Sequence, residues 1–250
     1  MCLQGGREFA AGCRDMDAEL VRRAAGPVVV TALAGAPGRE YRTANDNGVA
    51  HYRFVGAADA VGAPDVREDR AAALEVLATA RLLVLPGGSP SRLLSALQST
   101  PVGQIVLDLL ADGGVVMGSS AGAMVLCAWT VLPDRRGPHG PVVQAGLGAV
   151  PDTLVLPHWS GRPGGSDWLQ AVEATVPPAT TVLGLPEQSG VLVQAEEPEQ
   201  SGVLDHAGVL EHTEPQGRPE GRTLTAVGQS PTRLVLDGRD LAVGQTFRAP

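Results

Sequence analysis

The sequence predicts an α/β fold in which a mostly parallel, doubly wound sheet carries helices on both faces. Short apolar runs bounded by glycine and proline alternate along the chain with segments of helical period. Strands without polar alternation are typical of sheets buried on both sides, and repeated strand-helix alternation is typical of right-handed crossovers. The 250 residues, of which 44% are hydrophobic, suffice to bury such a core.

The predicted elements follow this alternation. Strands are predicted at residues 28–33, 82–85, 115–117, 154–156 and 182–185. Helices are predicted at residues 16–25, 67–79, 91–98, 102–111, 121–128 and 168–175. The segment 39–64 mixes asparagine, glycine and charged residues with a weak helical period, and we interpret it as a loop on the substrate side.

The C-terminal part has a different pattern. After residue 194, short strand-like pieces separated by glycine, proline and aspartate predict β-hairpins along the sheet edge. We therefore predict a catalytic domain over 1–195 and a β-rich extension over 196–250 that packs on it. Residues 186–192 recur identically at 198–204, which indicates a local duplication without a catalytic role.

Composition excludes several function classes. The net charge is -8 and no segment concentrates basic residues, so we expect no nucleic-acid partner. All 19 basic residues are arginine, which excludes Schiff-base chemistry, a Ser/Lys dyad and a phosphate-loop lysine. No apolar run approaches the roughly 20 residues of a membrane helix. Three cysteines without paired spacing argue against a zinc site or disulfides, and the N-terminus lacks a secretory pattern, so we expect a cytoplasmic protein.

The segment from Gly118 to Gly122 is the most informative motif. An apolar strand, a turn of small residues and an apolar helix follow one another, and Gly118-Ser119-Ser120-Ala121-Gly122 matches the Gly-x-Ser-x-Gly pattern. This pattern is typical of a nucleophile elbow, a strained turn that exposes the central hydroxyl above the sheet. Ser120 is therefore the candidate nucleophile, and Ser119 is interpreted as support for the turn.

A second glycine turn offers oxyanion donors. The predicted strand 82–85 ends in Pro86-Gly87-Gly88, and glycine lets the backbone approach a ligand closely. The N–H of Gly88 would join that of Ala121 at a developing oxyanion, with Gly87 as a further residue on the substrate side. No Gly-x-Gly-x-x-Gly follows any predicted strand, so a dinucleotide fingerprint is missing.

His158 is the candidate general base. It follows the predicted strand 154–156 and Pro157, at the edge where open α/β sheets gather their catalytic side chains. A histidine there can reach Ser120 from a neighbouring strand. The remaining histidines fall in predicted loops or in the polar tail, where we expect solvated side chains: His51, His139, His206 and His212.

Two carboxylates compete as the group that orients the imidazole. Asp134 lies 14 residues after Ser120 and gives the chain order Ser, Asp, His. Glu187 follows the predicted strand 182–185 and is the alternative. Either could instead pair with a surface arginine, so the residues alone leave the choice open.

These motifs resemble the S51 serine peptidase family, which includes dipeptidase E and cyanophycinase. The resemblance extends over about residues 3–195, and the Ser-Ala-Gly-Ala turn with the upstream Pro-Gly-Gly is its most specific part. It implies a class I glutamine amidotransferase-like, flavodoxin-like sheet. The matching segments are Leu3-Gln4-Gly5-Gly6-Arg7-Glu8-Phe9, Leu85-Pro86-Gly87-Gly88, 118–123, Pro157-His158-Trp159 and Gly184-Leu185-Pro186-Glu187.

The resemblance implies a hydrolase that cuts a peptide bond next to an aspartyl residue. The resemblance assigns the role of nucleophile to Ser120, that of base to His158 and that of oxyanion donors to Gly88 and Ala121. The family usually has its acid between serine and histidine, which favours Asp134 over Glu187. No metal or cofactor is implied.

The departures from the family pattern narrow the range of expected substrates. Cyanophycinase-like sequences have several arginines around the catalytic histidine, and these are mostly absent here, which favours a small aspartyl dipeptide over that polymer. Arg162 is the nearby cation that could hold a substrate carboxylate. An amidotransferase-like protein acting with a partner and a non-catalytic binding protein are the alternatives, and the sequence leaves a homodimer open.

Overall fold

The structure is a computed structural model that describes residues 1–133, 140–160, 166–195 and 221–249. In these ranges strands and helices largely alternate up to α6, and strands predominate after it. The strands are β1 (Cys2–Gln4), β2 (Val28–Val30), β3 (Val61–Gly62), β4 (Leu82–Leu85), β5 (Val115–Ser119), β6 (Cys127–Pro133), β7 (Pro141–Ala145), β8 (Val150–Leu156), β9 (Thr181–Gly184), β10 (Ser189–Ala195), β11 (Arg222–Gly228), β12 (Thr232–Leu234), β13 (Arg239–Leu241) and β14 (Thr246–Ala249). The helices are α1 (Arg14–Ala24), α2 (Arg39–Phe54), α3 (Arg70–Leu77), α4 (Pro90–Ser99), α5 (Val102–Ala111), α6 (Ala121–Leu126) and α7 (Ser166–Thr175).

The described strands form two sheets. The larger one has the order β14-β11-β10-β1-β5-β4-β2-β3, and its part from β1 to β3 is parallel. The smaller one has the order β13-β12-β9-β8-β6-β7, with β6, β8 and β9 parallel. The predicted α/β class is confirmed, and the division of the strands between two sheets is a feature that the sequence pattern did not predict.

Helices and the second sheet cover the larger sheet on its two faces. Successive strand residues point to opposite sides, so Val28 and Val30 pack in a core with Leu20 of α1 and Tyr52 of α2. Val29 belongs to the core on the other face, together with residues of α3, α4, α5 and the second sheet. A third cluster joins the second sheet to α7. Together these layers leave the carboxyl ends of the parallel strands at one edge.

Segment 39–64, interpreted above as a loop, is largely the 16-residue helix α2. The helical period is weak in the sequence because polar residues occupy the buried face, among them Asn45 and His51. His51, expected to be solvated, is only 7% exposed. Its Nε2 lies 2.8 Å from Oδ2 of the buried Asp17, which also accepts a hydrogen bond from the Gln4 side chain.

The chain after α5 also differs from the predicted pattern. The helix that follows Ser120 ends at Leu126, and residues 127 and 128 already belong to β6. After residue 220, β11 and β14 extend the larger sheet, whereas β12 and β13 form an antiparallel hairpin on the smaller one. The second copy of the duplicated segment, residues 198–204, lies outside the described residues.

Within the described ranges, no single helix is both long and apolar enough to cross a membrane. The helices α4 and α5 meet that criterion only when taken together, and the break between them bends the pair by 82°.

The three cysteines are free and buried. Burial raises the pKa of the Cys2 thiol to about 12 and that of the Cys13 thiol to about 12, and it also raises the pKa of Cys127. A thiol with a raised pKa stays protonated at neutral pH, and the thiolate is the reactive form. None of the three is therefore suited to nucleophilic chemistry.

We expect the native protein to be inert to Ellman's reagent at about pH 8, where an ordinary exposed thiol is partly ionised. Burial blocks access, and the raised pKa of each thiol suppresses the thiolate. After unfolding in guanidinium chloride, all three thiols should react. The measurement is the absorbance of released thionitrobenzoate, and rapid release of one equivalent from the native protein would contradict the prediction.

Candidate active site

Ser120 lies at the carboxyl end of β5, in the turn that leads into α6. Its backbone has φ 47° and ψ -106°, an unusual conformation for a residue with a side chain. Small neighbours make the turn possible: a Cβ on Gly118 would lie 2.6 Å from the carbonyl carbon of Gly122, and one on Gly122 would lie 2.2 Å from the Leu85 oxygen. Ser120 therefore adopts a positive φ in a turn whose close contacts require glycine at positions 118 and 122.

A continuous hydrogen-bond chain runs from Ser120 through His158 to Glu187. The Ser120 Oγ lies 2.9 Å from His158 Nε2, and His158 Nδ1 lies 3.1 Å from Glu187 Oε1. When the Nδ1–H of His158 donates a hydrogen bond to the Glu187 carboxylate, Nε2 is free to accept a hydrogen bond from the Ser120 hydroxyl. The side chains of His158 and Glu187 are 51% and 42% exposed, so the chain of contacts opens to solvent.

The end of β1 and the loop that follows it hold all three parts of this arrangement. Three consecutive carbonyl groups, one from the last residue of β1 and two from the loop, each accept a backbone N–H from one part. The N–H groups of Ser120, His158 and Gln188 donate to the oxygens of Gln4, Gly5 and Gly6, at 2.9, 2.8 and 2.9 Å. Because the Ser120 and His158 turns and the residue after Glu187 are tied to adjacent peptide units, the loop fixes their relative positions.

Both glycines of this loop are required by close contacts. A Cβ on Gly5 would lie 2.1 Å from the Pro186 carbonyl oxygen, which is part of the backbone and cannot yield. Gly6 has φ 128°, and a Cβ there would lie 2.3 Å from Cε1 of the His158 ring. The imidazole thus rests directly on the Gly6 backbone.

We expect Gly6→Ala to reduce kcat strongly, because the new methyl group displaces the imidazole from Ser120. A misplacement of about 1 Å in a catalytic group can cost about 100-fold in rate, and a loss of that size is expected. The measurement is kcat for peptide hydrolysis, together with the thermal midpoint.

The matched control is Gly56→Ala. Gly56 also has a positive φ, 115°, but open space surrounds its Cβ position. This control reports the effect of backbone strain without a clash at the imidazole. Equal losses of activity in the two variants would contradict the steric explanation.

The glycine turn after β4 lies against Ser120. A Cβ on Gly87 would be 3.2 Å from the Ser120 Cβ. The Gly87 N–H donates to Glu8 Oε1 at 2.7 Å, and it is therefore committed to that carboxylate. Gly88 is exposed at the same turn, and Ala121 is the first residue of α6. Thus the structure brings both predicted oxyanion donors to the turns that flank Ser120.

Two charged residues of the site were not recognised in the sequence as functional. The Arg7 Nε lies 3.6 Å from Glu187 Oε2, and Glu8 contacts both turns beside Ser120. Their position in the sequence could have indicated them. They directly follow Gly5-Gly6, at the end of a strand whose carboxyl end lies at the edge of the sheet where ligands bind. Of the predicted residues, Asp134 and Arg162 lie outside the described part of the chain, as do His139, His206 and His212.

The described residues also bear on metal binding. Among them, no group of three or more histidine, cysteine, aspartate or glutamate side chains is arranged to hold a metal ion. The hydrogen-bonded serine, histidine and glutamate are groups of the kind that nucleophilic acyl transfer uses.

Comparison with known proteins is consistent with this chemistry. Residues 61–200, more than half of the chain, match the model of peptidase family S51. A crystal structure of a peptidase from an acI-B1 Actinobacterium is similar with a TM-score of 0.73 and 19% identity, covering 98% of this chain and 95% of that one. A peptidase E candidate from Listeria monocytogenes EGD-e is similar with a TM-score of 0.55 and 15% identity, covering 76% of this chain and 91% of that one.

A search of curated protein sequences finds no match to this chain. The structural likenesses are below 25% identity and show the shared fold. The family match is the stronger finding, because it spans the turns of Gly88, Ser120, His158 and Glu187. On that match, the chain belongs to peptidase family S51 and is a serine-type peptidase.

Proposed function

We propose that this peptidase hydrolyses small peptides with a triad of Ser120, His158 and Glu187. The observation that carries the proposal is the unbroken hydrogen-bond chain between these three side chains, with contacts of 2.9 and 3.1 Å. A nucleophile, a base within reach of its proton and a carboxylate that orients the base are the three requirements of this mechanism.

In the proposed reaction, the Ser120 hydroxyl attacks the peptide carbonyl and His158 Nε2 accepts its proton. The negative charge that develops on the carbonyl oxygen is held by the N–H groups of Gly88 and Ala121. His158 then gives the proton to the leaving amine, and an ester of Ser120 remains. A water molecule, deprotonated by His158, hydrolyses this ester and restores the free hydroxyl.

Glu187 has the role of orienting His158 and stabilising the imidazolium that forms during the reaction. Its Oε1 accepts the Nδ1 hydrogen bond, while the Arg7 guanidinium lies near Oε2. These contacts support Glu187 over Asp134, the residue that the family resemblance favours.

We further propose that the substrate is a dipeptide with an N-terminal aspartyl residue. The Pro157-His158-Trp159 segment resembles the dipeptidase branch of the family more than the cyanophycinase branch. Arg7 is a candidate cation for the substrate carboxylate, because its guanidinium lies beside the triad and its side chain is 66% exposed. Arg162 remains the second candidate cation.

The experiment compares hydrolysis of matched dipeptides that begin with aspartate, asparagine or β-linked aspartate. We expect the wild type to release free amino acid fastest from the α-aspartyl dipeptide, because the asparagine analogue lacks the carboxylate. Arg7→Gln should narrow the ratio of kcat/KM between the aspartyl and asparaginyl substrates. Equal rates for the two substrates in the wild type would contradict the proposed specificity.

A further inference from the structure

The Glu8 carboxylate joins the two turns on either side of the candidate nucleophile. Its Oε1 accepts the Gly87 N–H at 2.7 Å, and its Oε2 accepts the Ser119 hydroxyl at 2.8 Å. Gly87 belongs to the turn after β4, whereas Ser119 is the last residue of β5 and directly precedes Ser120. One side chain therefore links the turn of the predicted oxyanion donor to the turn of the nucleophile.

The contact with Glu8 determines which N–H of the glycine turn is left for a substrate. The Gly87 N–H donates to Glu8, and the Ser89 N–H donates to the Ala34 carbonyl at 3.0 Å. Among the described contacts, the N–H of Gly88 between them has no acceptor. Gly88 has φ 139°, and a Cβ there would lie 2.9 Å from the Ala34 oxygen, so this conformation requires glycine.

The Glu8 carboxylate lies near Ser120, with the Gly87 backbone between the two side chains. A Cβ built on Gly87 would lie 2.9 Å from Glu8 Oε1 and 3.2 Å from the Ser120 Cβ, which places Gly87 between the two side chains. A carboxylate beside a developing oxyanion repels it. Its two donors, a backbone amide and a hydroxyl, offset that repulsion in part.

We propose that Glu8 is a positioning residue, which holds the Gly88 N–H in register with Ser120 and so sets the geometry of the oxyanion site. The inference rests on the proposed serine mechanism. The loop that carries Glu8 is anchored independently: the Phe9 ring packs against His51 at 5.3 Å, and the Gly12 N–H donates to the Gln188 side chain at 3.1 Å. These contacts fix the position of the loop that carries the Glu8 carboxylate.

The test uses a neutral fluorophosphonate probe, which reacts with an activated serine and carries no ammonium or peptide group. For Glu8→Ala, we expect the second-order labelling rate constant and kcat for the dipeptide to fall together by about 100-fold, the usual cost of one oxyanion donor. KM should change little. Glu8→Gln keeps the shape and one acceptor oxygen, and its losses should be intermediate.

The control variant is Glu75→Ala, which removes an exposed carboxylate on α3. It should label and turn over at the wild-type rate. Circular dichroism and the thermal midpoint show whether each variant is folded. If Glu8→Ala does not fold, Glu8→Gln takes its place, and wild-type labelling by that folded variant would overturn the proposal.

A different role for Glu8 would give a different result. A carboxylate that binds the substrate ammonium would leave labelling by the neutral probe unchanged and would raise KM for dipeptides with a free amino group. That outcome would overturn the positioning role and leave the serine mechanism intact. Failure of the wild type to label at Ser120 would instead remove the proposed function, and this inference with it.

Discussion

Ser120→Ala is expected to lower kcat by about 10,000-fold or more, since removal of a triad nucleophile leaves only the catalysis that the oxyanion site and binding supply. The physical reason is that the His158 Nε2, 2.9 Å away, then has no hydroxyl to deprotonate. The backbone should be unaffected, because alanine keeps the Cβ and only the Oγ is lost. The measurements are kcat on the dipeptide and the thermal midpoint of both proteins.

The control for this change is Ser99→Ala. The Ser99 hydroxyl donates to a carbonyl of its own helix α4, far along the chain from the site, and its loss should leave kcat unchanged. Residual activity of Ser120→Ala within tenfold of the wild type would contradict the assignment of the nucleophile. In that case Ser119→Ala would be the next variant to measure.

Glu187→Gln is expected to lower kcat by about 10,000-fold, comparable with the loss that follows when the acid of a serine triad becomes an amide. The Gln amide can turn its NH₂ group toward His158 Nδ1, which favours the tautomer with the proton on Nε2. That tautomer cannot accept the Ser120 proton. Labelling of Ser120 by a fluorophosphonate should fall in parallel, because it depends on the same proton transfer.

Asp134→Asn is the matched change at the competing acid. If Glu187 orients His158 through the 3.1 Å contact, Asp134→Asn removes no member of the triad, and kcat should stay within about threefold of the wild-type value. The reverse pattern, with Asp134→Asn inactive and Glu187→Gln active, would assign the acid to Asp134. The measurement is kcat/KM for each variant across the pH range, with its thermal midpoint.

The turn around Ser120 and the position of His158 at a strand end could be predicted because local sequence determines them. A strained turn requires small residues at fixed spacing around Ser120, and a buried strand places His158 at its end. Glu187 could be named as a candidate for the same reason. The contact between Glu187 and His158 could not be predicted, because it depends on how two loops approach each other in space.

Other features depended on long-range contacts that leave no local pattern. Glu8 reaches Gly87 and Ser119, which lie 79 and 111 residues away. The helix α2 was interpreted as a loop because its buried face carries His51, which is compatible with burial only when Asp17 of α1 lies opposite. The second sheet was not predicted, since short buried strands do not reveal which neighbours they pair with.

The proposed triad draws its members from both sheets. Ser120 follows β5 of the larger sheet, His158 follows β8 of the smaller one, and Glu187 lies between β9 and β10, where the chain passes from the smaller sheet to the larger. In the proposed mechanism, turnover therefore depends on how closely the two sheets pack against each other through the core that they share. On gentle heating or in mild denaturant, the rate of hydrolysis should decline before the circular dichroism signal does. Loss of activity would then report the loosening of the contact between the two sheets.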